Sequence, residues 1–177
     1  MSNFNYDSYC GNYCGACSII LADKTGNKDP LASYWTESAL KDFQQAQGIE
    51  LSAEDNLQLR CKGCKSDTLF INCKHCKIRA CAISRKVEHC NGCNEYPCQL
   101  LKGSLMNKDI QEKLPHLKVT SDNLTTIKNV GVEQWLNDQE KQWKCPECQT
   151  DFSWYTSKCT KCGKDLDKIK DYNNLEI

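Results

Sequence analysis

The chain has 177 residues, equal numbers of acidic and basic side chains at 23 each, and a mean hydropathy of −0.65. Only 40% of its residues are hydrophobic, and that share includes 15 cysteines, so its apolar core is thin and cross-links are expected to reinforce it. No stretch approaches the roughly 18 consecutive apolar residues of a membrane-spanning helix, so no membrane partner is expected.

An odd number of cysteines cannot pair completely within one chain. The opening Met-Ser-Asn-Phe-Asn-Tyr-Asp offers neither a basic nor an apolar leader, so a reducing cytoplasmic location is expected. Metal thiolates are therefore expected rather than disulfides.

The chain divides into zones. Residues 1–103 form a cysteine-rich metal-binding domain interrupted by a cysteine-free insert over 18–60. Residues 104–142 form a helical linker, 143–170 a zinc ribbon and 171–177 a tail. The first motif, Cys10, Cys14 and Cys17, has C-x3-C-x2-C spacing. That spacing suits an iron–sulfur cluster with three protein ligands, but the chain is too short for the barrel that supports radical chemistry at such a cluster.

In the insert, Asp29-Pro30 predicts a helix start. Leu31, Tyr34, Trp35, Ala39, Phe43 and Ala46 continue it at helical spacing to a stop at Gly48. The Tyr34, Trp35 and Phe43 stripe is expected in the core. Ser52, with Asp55 three residues on, predicts a second short helix through Leu57 and Leu59.

Cys61 and Cys64 form a C-x2-C knuckle, and two C-x2-C-x4-C repeats follow: Cys73, Cys76, Cys81, then Cys90, Cys93, Cys98. Ile78–Val87 between them is expected to be helical. Residues 61–98 carry seven basic side chains against three acids, whereas residues 1–59 carry three against eight. The lysines near the knuckles are read mainly as offsets to thiolate charge. A nucleic-acid face on Lys62, Lys65, Lys74, Lys77, Arg79, Lys158, Lys161 and Lys164 is the alternative.

Leu124, Ile127, Val130, Val132, Trp135 and Leu136 predict a helix pair broken near Gly131 and docked on the first domain. His116, in this linker, is expected on the surface. Cys145-Pro-Glu-Cys148 and Cys159-Thr-Lys-Cys162-Gly163 then make the clearest site, a zinc ribbon. Phe152, Trp154 and Tyr155 are expected on a β-hairpin between its knuckles. Four sulfurs leave no open position on the ion, so this site is expected to be structural. Rubredoxin-type iron would fit the same ligands.

The eleven cysteines before it do not divide by four. Cys61, Cys64, Cys73 and Cys76 would close one site as a miniature ribbon, leaving Cys10, Cys14, Cys17, Cys81, Cys90, Cys93 and Cys98 one short of two more. His75 or His89 would complete the set, one site would keep an exogenous ligand, or one cysteine would not ligate. Nucleotide-loop, zinc-protease and deaminase motifs are missing, and no Cys/His/Asn arrangement supports thiol catalysis.

The motifs Cys10-Gly-x2-Cys14-x2-Cys17, Cys61-x-Gly-Cys64, Cys73-x2-Cys76-x-Ile-Arg79-x-Cys81-Ala82 and Cys90-x2-Cys93-x2-Tyr96-Pro97-Cys98 resemble a prokaryotic cysteine-rich domain family. That family is known only as a domain of unknown function and is often described as zinc-binding. The resemblance covers residues 10 to about 103. The segment from Asn123-Leu to Trp135-Leu, with Trp143 and a cysteine pair after it, looks like longer members. It implies a compact metal-stabilised fold and names no reaction.

The resulting expectation is a small α+β or irregular protein binding about three to four Zn2+ ions through all fifteen cysteines. It is expected to act as a non-enzymatic binding or adaptor module, with a protein partner foremost and nucleic acid second. An Fe–S redox protein using the Cys10/Cys14/Cys17 triad is the alternative, followed by an enzyme with an open metal site.

Overall fold

The structure, a computed structural model, describes residues 4–166; the tail expected at 171–177 lies outside them. Helices alternate with irregular knuckles. Helix α1 spans Ser18–Thr25, α2 Pro30–Tyr34, α3 Glu37–Ala46, α4 Ile71–Lys74, α5 Lys77–Ser84 and α6 Gln99–Lys102. Then come α7 Lys108–Lys113, α8 Thr120–Val130 and α9 Val132–Gln142, with short 3-10 turns at Cys14–Ala16, Cys90–Gly92 and Pro115–Val119. None of these helices is long and apolar enough to cross a membrane.

Of the expected α+β or irregular class, the second holds: the fold is mostly helical and irregular, with almost no strand. Among the described residues, strand pairing is limited to two isolated antiparallel bridges, Lys144 with Asp151 and Lys158 with Asp165. The hairpin expected around Phe152, Trp154 and Tyr155 is instead an irregular turn whose aromatic rings are all buried.

The insert also differs from expectation. Asp29 caps α2, its Oδ1 accepting from the Ala32 amide at 2.8 Å. The helix does not run on to Ala46, because Thr36 restarts it as a new cap, its Oγ1 accepting from the Ala39 amide at 3.2 Å. The restart turns Leu40 and Gln44 inward and leaves Tyr34 and Phe43 exposed, against the expected core stripe. Trp35 is held between their edges and Phe70, with centroids 5.0 to 6.1 Å away.

Residues 52–59 form turns and no helix. Asp55 Oδ2 accepts from the Ser52 amide at 2.8 Å and the Ser52 hydroxyl at 3.1 Å. Asp55 Oδ1 takes Lys74 at 2.5 Å. The acid thus closes its turn on Ser52 and ties it to α4 instead of starting a helix.

The helix pair breaks as expected at Gly131, where φ is +85°. Both helices lie on the N-terminal segment. Trp135 is 1% exposed and meets the Tyr13 ring edge-on, with centroids 5.9 Å apart. Asn123 Nδ2 donates to the Gly11 carbonyl at 2.9 Å, and Asn91 Nδ2 to the Leu124 carbonyl at 2.5 Å. Gly11 has φ +83°, and a Cβ there would sit 2.5 Å from the Thr120 carbonyl oxygen, so this approach requires glycine.

One apolar core joins the C-terminal unit to the rest. Tyr13, Ala16, Leu31, Ile127 and Trp135 pack with Trp143, Phe152, Trp154, Tyr155 and Leu166. The Asp29 carboxylate reinforces the junction, accepting from Ser18 Oγ at 2.5 Å and from Ser153 Oγ.

His116 is not on the surface. It is buried, stacked on Trp154 at 4.0 Å and 7°, with Nδ1 2.6 Å from the Tyr155 hydroxyl. Burial pushes its pKa down from 6.5 to about 3. The unfolded chain therefore binds a proton that the folded chain rejects, so stability falls as pH drops from about 6.5 toward 3. Between pH 7 and pH 5 this group should cost about 2 kcal/mol. His116→Phe should flatten that slope relative to wild type in denaturant titrations at the two pH values, and parallel slopes would contradict the assignment.

Candidate metal centre

The C-terminal unit places four sulfurs around one point. The ligand atoms of Cys145, Cys148, Cys159 and Cys162 all lie within 4.8 Å of one another. Cys145 and Cys162 sulfurs are 3.6 Å apart, and those of Cys148 and Cys159 are 3.5 Å apart. A tetrahedral ion with metal–sulfur bonds of about 2.3 Å needs sulfurs about 3.8 Å apart, so the donor set fits.

Two repeated turns build this cluster. In the first, the Cys145 amide donates to Thr150 O and the Gln149 amide to Cys145 O, each at 2.9 Å. In the second, the Cys159 amide donates to Lys164 O at 2.8 Å and the Gly163 amide to Cys159 O at 2.9 Å. The fifth residue of each turn is left-handed, Gln149 at φ +60° and Gly163 at φ +73°. Gly163 was legible as such a position; Gln149 gives no such sign in sequence. Cys148 Sγ donates to Thr150 Oγ1 at 3.3 Å, and hydrogen bonding with the Thr150 side chain and backbone draws the Cys148 thiol down to about 6. Cys145 and Cys159 are buried and Cys162 is exposed.

The eleven other cysteines are brought together in a different order from their spacing. Cys14, Cys17, Cys61 and Cys73 share an apolar cluster with Ile19, Ile20, Phe70 and Ile71. Cys10, Cys76, Cys90 and Cys98 share another with Ile78, Leu101 and Leu124. Cys64 lies near Cys10 and Cys76, and Cys90 lies near Cys10, Cys98, Cys81 and Cys76. Cys81, Cys90, Cys93 and Cys98 line one cavity of about 40 Å3. The Cys10/Cys14/Cys17 triad is thus divided between two clusters, as is the Cys73/Cys76 pair.

Burial raises the Cys10, Cys14, Cys17, Cys64 and Cys90 thiols, the last three to about 12. A metal bound among them must displace protons, so affinity falls as pH falls. Cys61 moves the other way, down to about 6, chiefly through its hydrogen bond with Cys73.

Neither histidine proposed as a ligand joins a sulfur group that meets the 4.8 Å spacing among the described residues. His89 Nε2 lies 2.8 Å from Asp7 Oδ1, and Lys65 Nζ lies 2.6 Å from Asp7 Oδ2. Burial would raise the Asp7 pKa, but hydrogen bonds from His89 and Lys65 outweigh it and hold the acid ionised. This network ties together the segments carrying Cys10, Cys64 and Cys90, and spacing gave no signal for it. His75 Nε2 lies 3.6 Å from Asp55. The expected basic face is partly spent internally: Lys65 pairs with Asp7, Lys74 with Asp55, and Arg79 Nε donates to the Cys64 carbonyl at 2.9 Å.

Fold and site together define a small, mostly helical, cysteine-rich protein with a four-sulfur cluster able to hold a metal ion. Residues 6–103 match the family described as "Protein of unknown function (DUF3795)", and the chain belongs to that family. No curated protein and no solved structure matches it.

Proposed function

We propose that this is a cytoplasmic zinc protein whose ions are structural, acting as a non-enzymatic binding or adaptor module for a protein partner. The observation that carries the reading is the closed four-sulfur cluster at Cys145, Cys148, Cys159 and Cys162. Four protein ligands fill a tetrahedral ion, which leaves no position for substrate or water. The ribbon, the Cys-rich domain of residues 1–103 and the helical arm of 104–142 are the units of this proposal, with all fifteen cysteines as ligands.

A second reading, an Fe–S redox protein, draws on the N-terminal sulfurs. They lie in apolar clusters, and among the described residues no three of them are all within 4.8 Å. A multi-iron cluster holds its thiolates farther apart than a single ion does.

Metal and sulfide analysis of anaerobically purified protein separates the two. The zinc reading expects a colourless protein with about three to four zinc ions per chain. A brown protein absorbing near ~400 nm, with iron and sulfide, would replace it with the redox reading.

A further inference from the structure

We infer that Cys162 is a peroxide-reactive site, whose oxidation to a disulfide with Cys145 releases the metal ion and loosens the C-terminal unit from the N-terminal domain. This rests on the metal-binding reading above and concerns the sulfur group whose spacing suits an ion. Of the fifteen cysteines, all among the described residues, Cys162 alone is exposed. Cys145 and Cys159 are 0% and 4% exposed, and Cys148 is part-buried. Solvent therefore meets this centre chiefly at Cys162.

A closed ion has no position for substrate, but its sulfurs stay reactive. Coordination keeps each ligand a thiolate, the form that attacks peroxides. Zinc neither gives nor takes electrons, so the electrons come from sulfur. The Cys162 sulfur attacks one oxygen of hydrogen peroxide, forming an S–O bond as the O–O bond breaks and hydroxide leaves. The Cys145 sulfur, 3.6 Å away, then attacks the Cys162 sulfenic acid. The S–S bond forms, the S–O bond breaks and a second hydroxide leaves. Two thiolates lose two electrons in all, the peroxide gains them, and two protons from solvent turn the hydroxides into water.

Position decides between this reversible outcome and over-oxidation. A sulfenic acid left in solvent goes on to the irreversible sulfinic acid, whereas a nearby thiolate captures it as a disulfide. Cys145 is that partner, shielded from the oxidant and close to Cys162. Once two of its four ligands are joined, the ion keeps only Cys148 and Cys159 and lacks a complete shell. Cys145 and Cys159 share an apolar cluster with Trp143, Phe152, Trp154 and Tyr155, and Tyr13, Ala16 and Leu31 of the N-terminal domain belong to it too. The Trp154 amide also donates to the Ala16 carbonyl at 3.2 Å. Metal release is thus felt at the junction as well as at the knuckles.

The test is a hydrogen peroxide titration of the full chain, purified anaerobically and with its metal content measured beforehand. In parallel samples, dimedone traps sulfenic acid, a chromophoric chelator follows metal release, and mass spectrometry maps the disulfides. Cys162 should be the first cysteine trapped. The Cys145–Cys162 disulfide should rise in step with the loss of one metal ion per chain, and reductant with added zinc should reverse both. Oxidation that begins at any N-terminal cysteine would overturn the inference while leaving the metal-binding reading in place. The same holds if Cys162 passes to sulfinic acid with no disulfide, or stays unmodified with its metal bound. Protein isolated with no metal would remove both.

Discussion

Cys159→Ser should unfold the C-terminal unit, because an ion held by its four cysteines would supply most of what holds it. Structural zinc contributes on the order of 10 kcal/mol of apparent folding free energy to units of this kind. Without it, each knuckle is flanked by one isolated bridge, and among the described residues no continuous ladder supports the unit. Trp143, Phe152, Trp154 and Tyr155 are each 3 to 5% exposed. They share their cluster with Cys145 and Cys159, so loss of the ion should release them to water. Tryptophan emission should shift to the red, and protease should cut between 145 and 162 in the variant but not in wild type. The core shared with Tyr13 and Trp135 should transmit part of the loss to the N-terminal domain as a lower denaturation midpoint. A metal-free variant with unchanged emission and protease resistance would mean that aromatic packing alone holds the unit.

Trp135→Ala is expected to cost about 3–5 kcal/mol, the usual range for removing a fully buried large aromatic side chain. Trp135 sits where the helical arm meets Tyr13, so its loss opens a cavity between them. The indole Nε1 is buried without a hydrogen-bond partner among the described residues. Trp135→Phe therefore keeps the ring contact and loses no hydrogen bond, and its cost should stay near ~1 kcal/mol. Denaturant midpoints of the two variants provide the comparison. Equal losses would indicate that the indole N–H, rather than ring volume, matters at this position.

Legibility in sequence followed the range of each interaction. The Asp29-Pro30 start, the break at Gly131 and the turn at Gly163 depend on one or two residues, and each is where local reasoning put it. The same reasoning missed where the outcome depended on a distant partner. Ser52 and Asp55 carry a helix-start pattern, but the Lys74 ammonium holds the acid in a turn. The helix through Tyr34 and Phe43 satisfies the spacing, but it breaks at Thr36 so that Leu40 and Gln44 can be buried. His116 shows no apolar pattern of its own and is buried because Trp154 and Tyr155 arrive from nearly forty residues away.

For the candidate site, the chemistry is already legible in the chain: fifteen thiols, closely spaced pairs and membership of a cysteine-rich family. The C-terminal cluster is legible too, because both knuckles of that site lie within one eighteen-residue stretch, Cys145 to Cys162. How the other eleven are shared between apolar clusters follows from packing between distant segments. Neighbouring cysteines such as Cys73 and Cys76 face different apolar clusters, the first with Phe70 and Ile71 and the second with Ile78 and Leu101. Spacing along a chain constrains neighbours within a turn, whereas a metal centre is defined by sulfurs that meet in space.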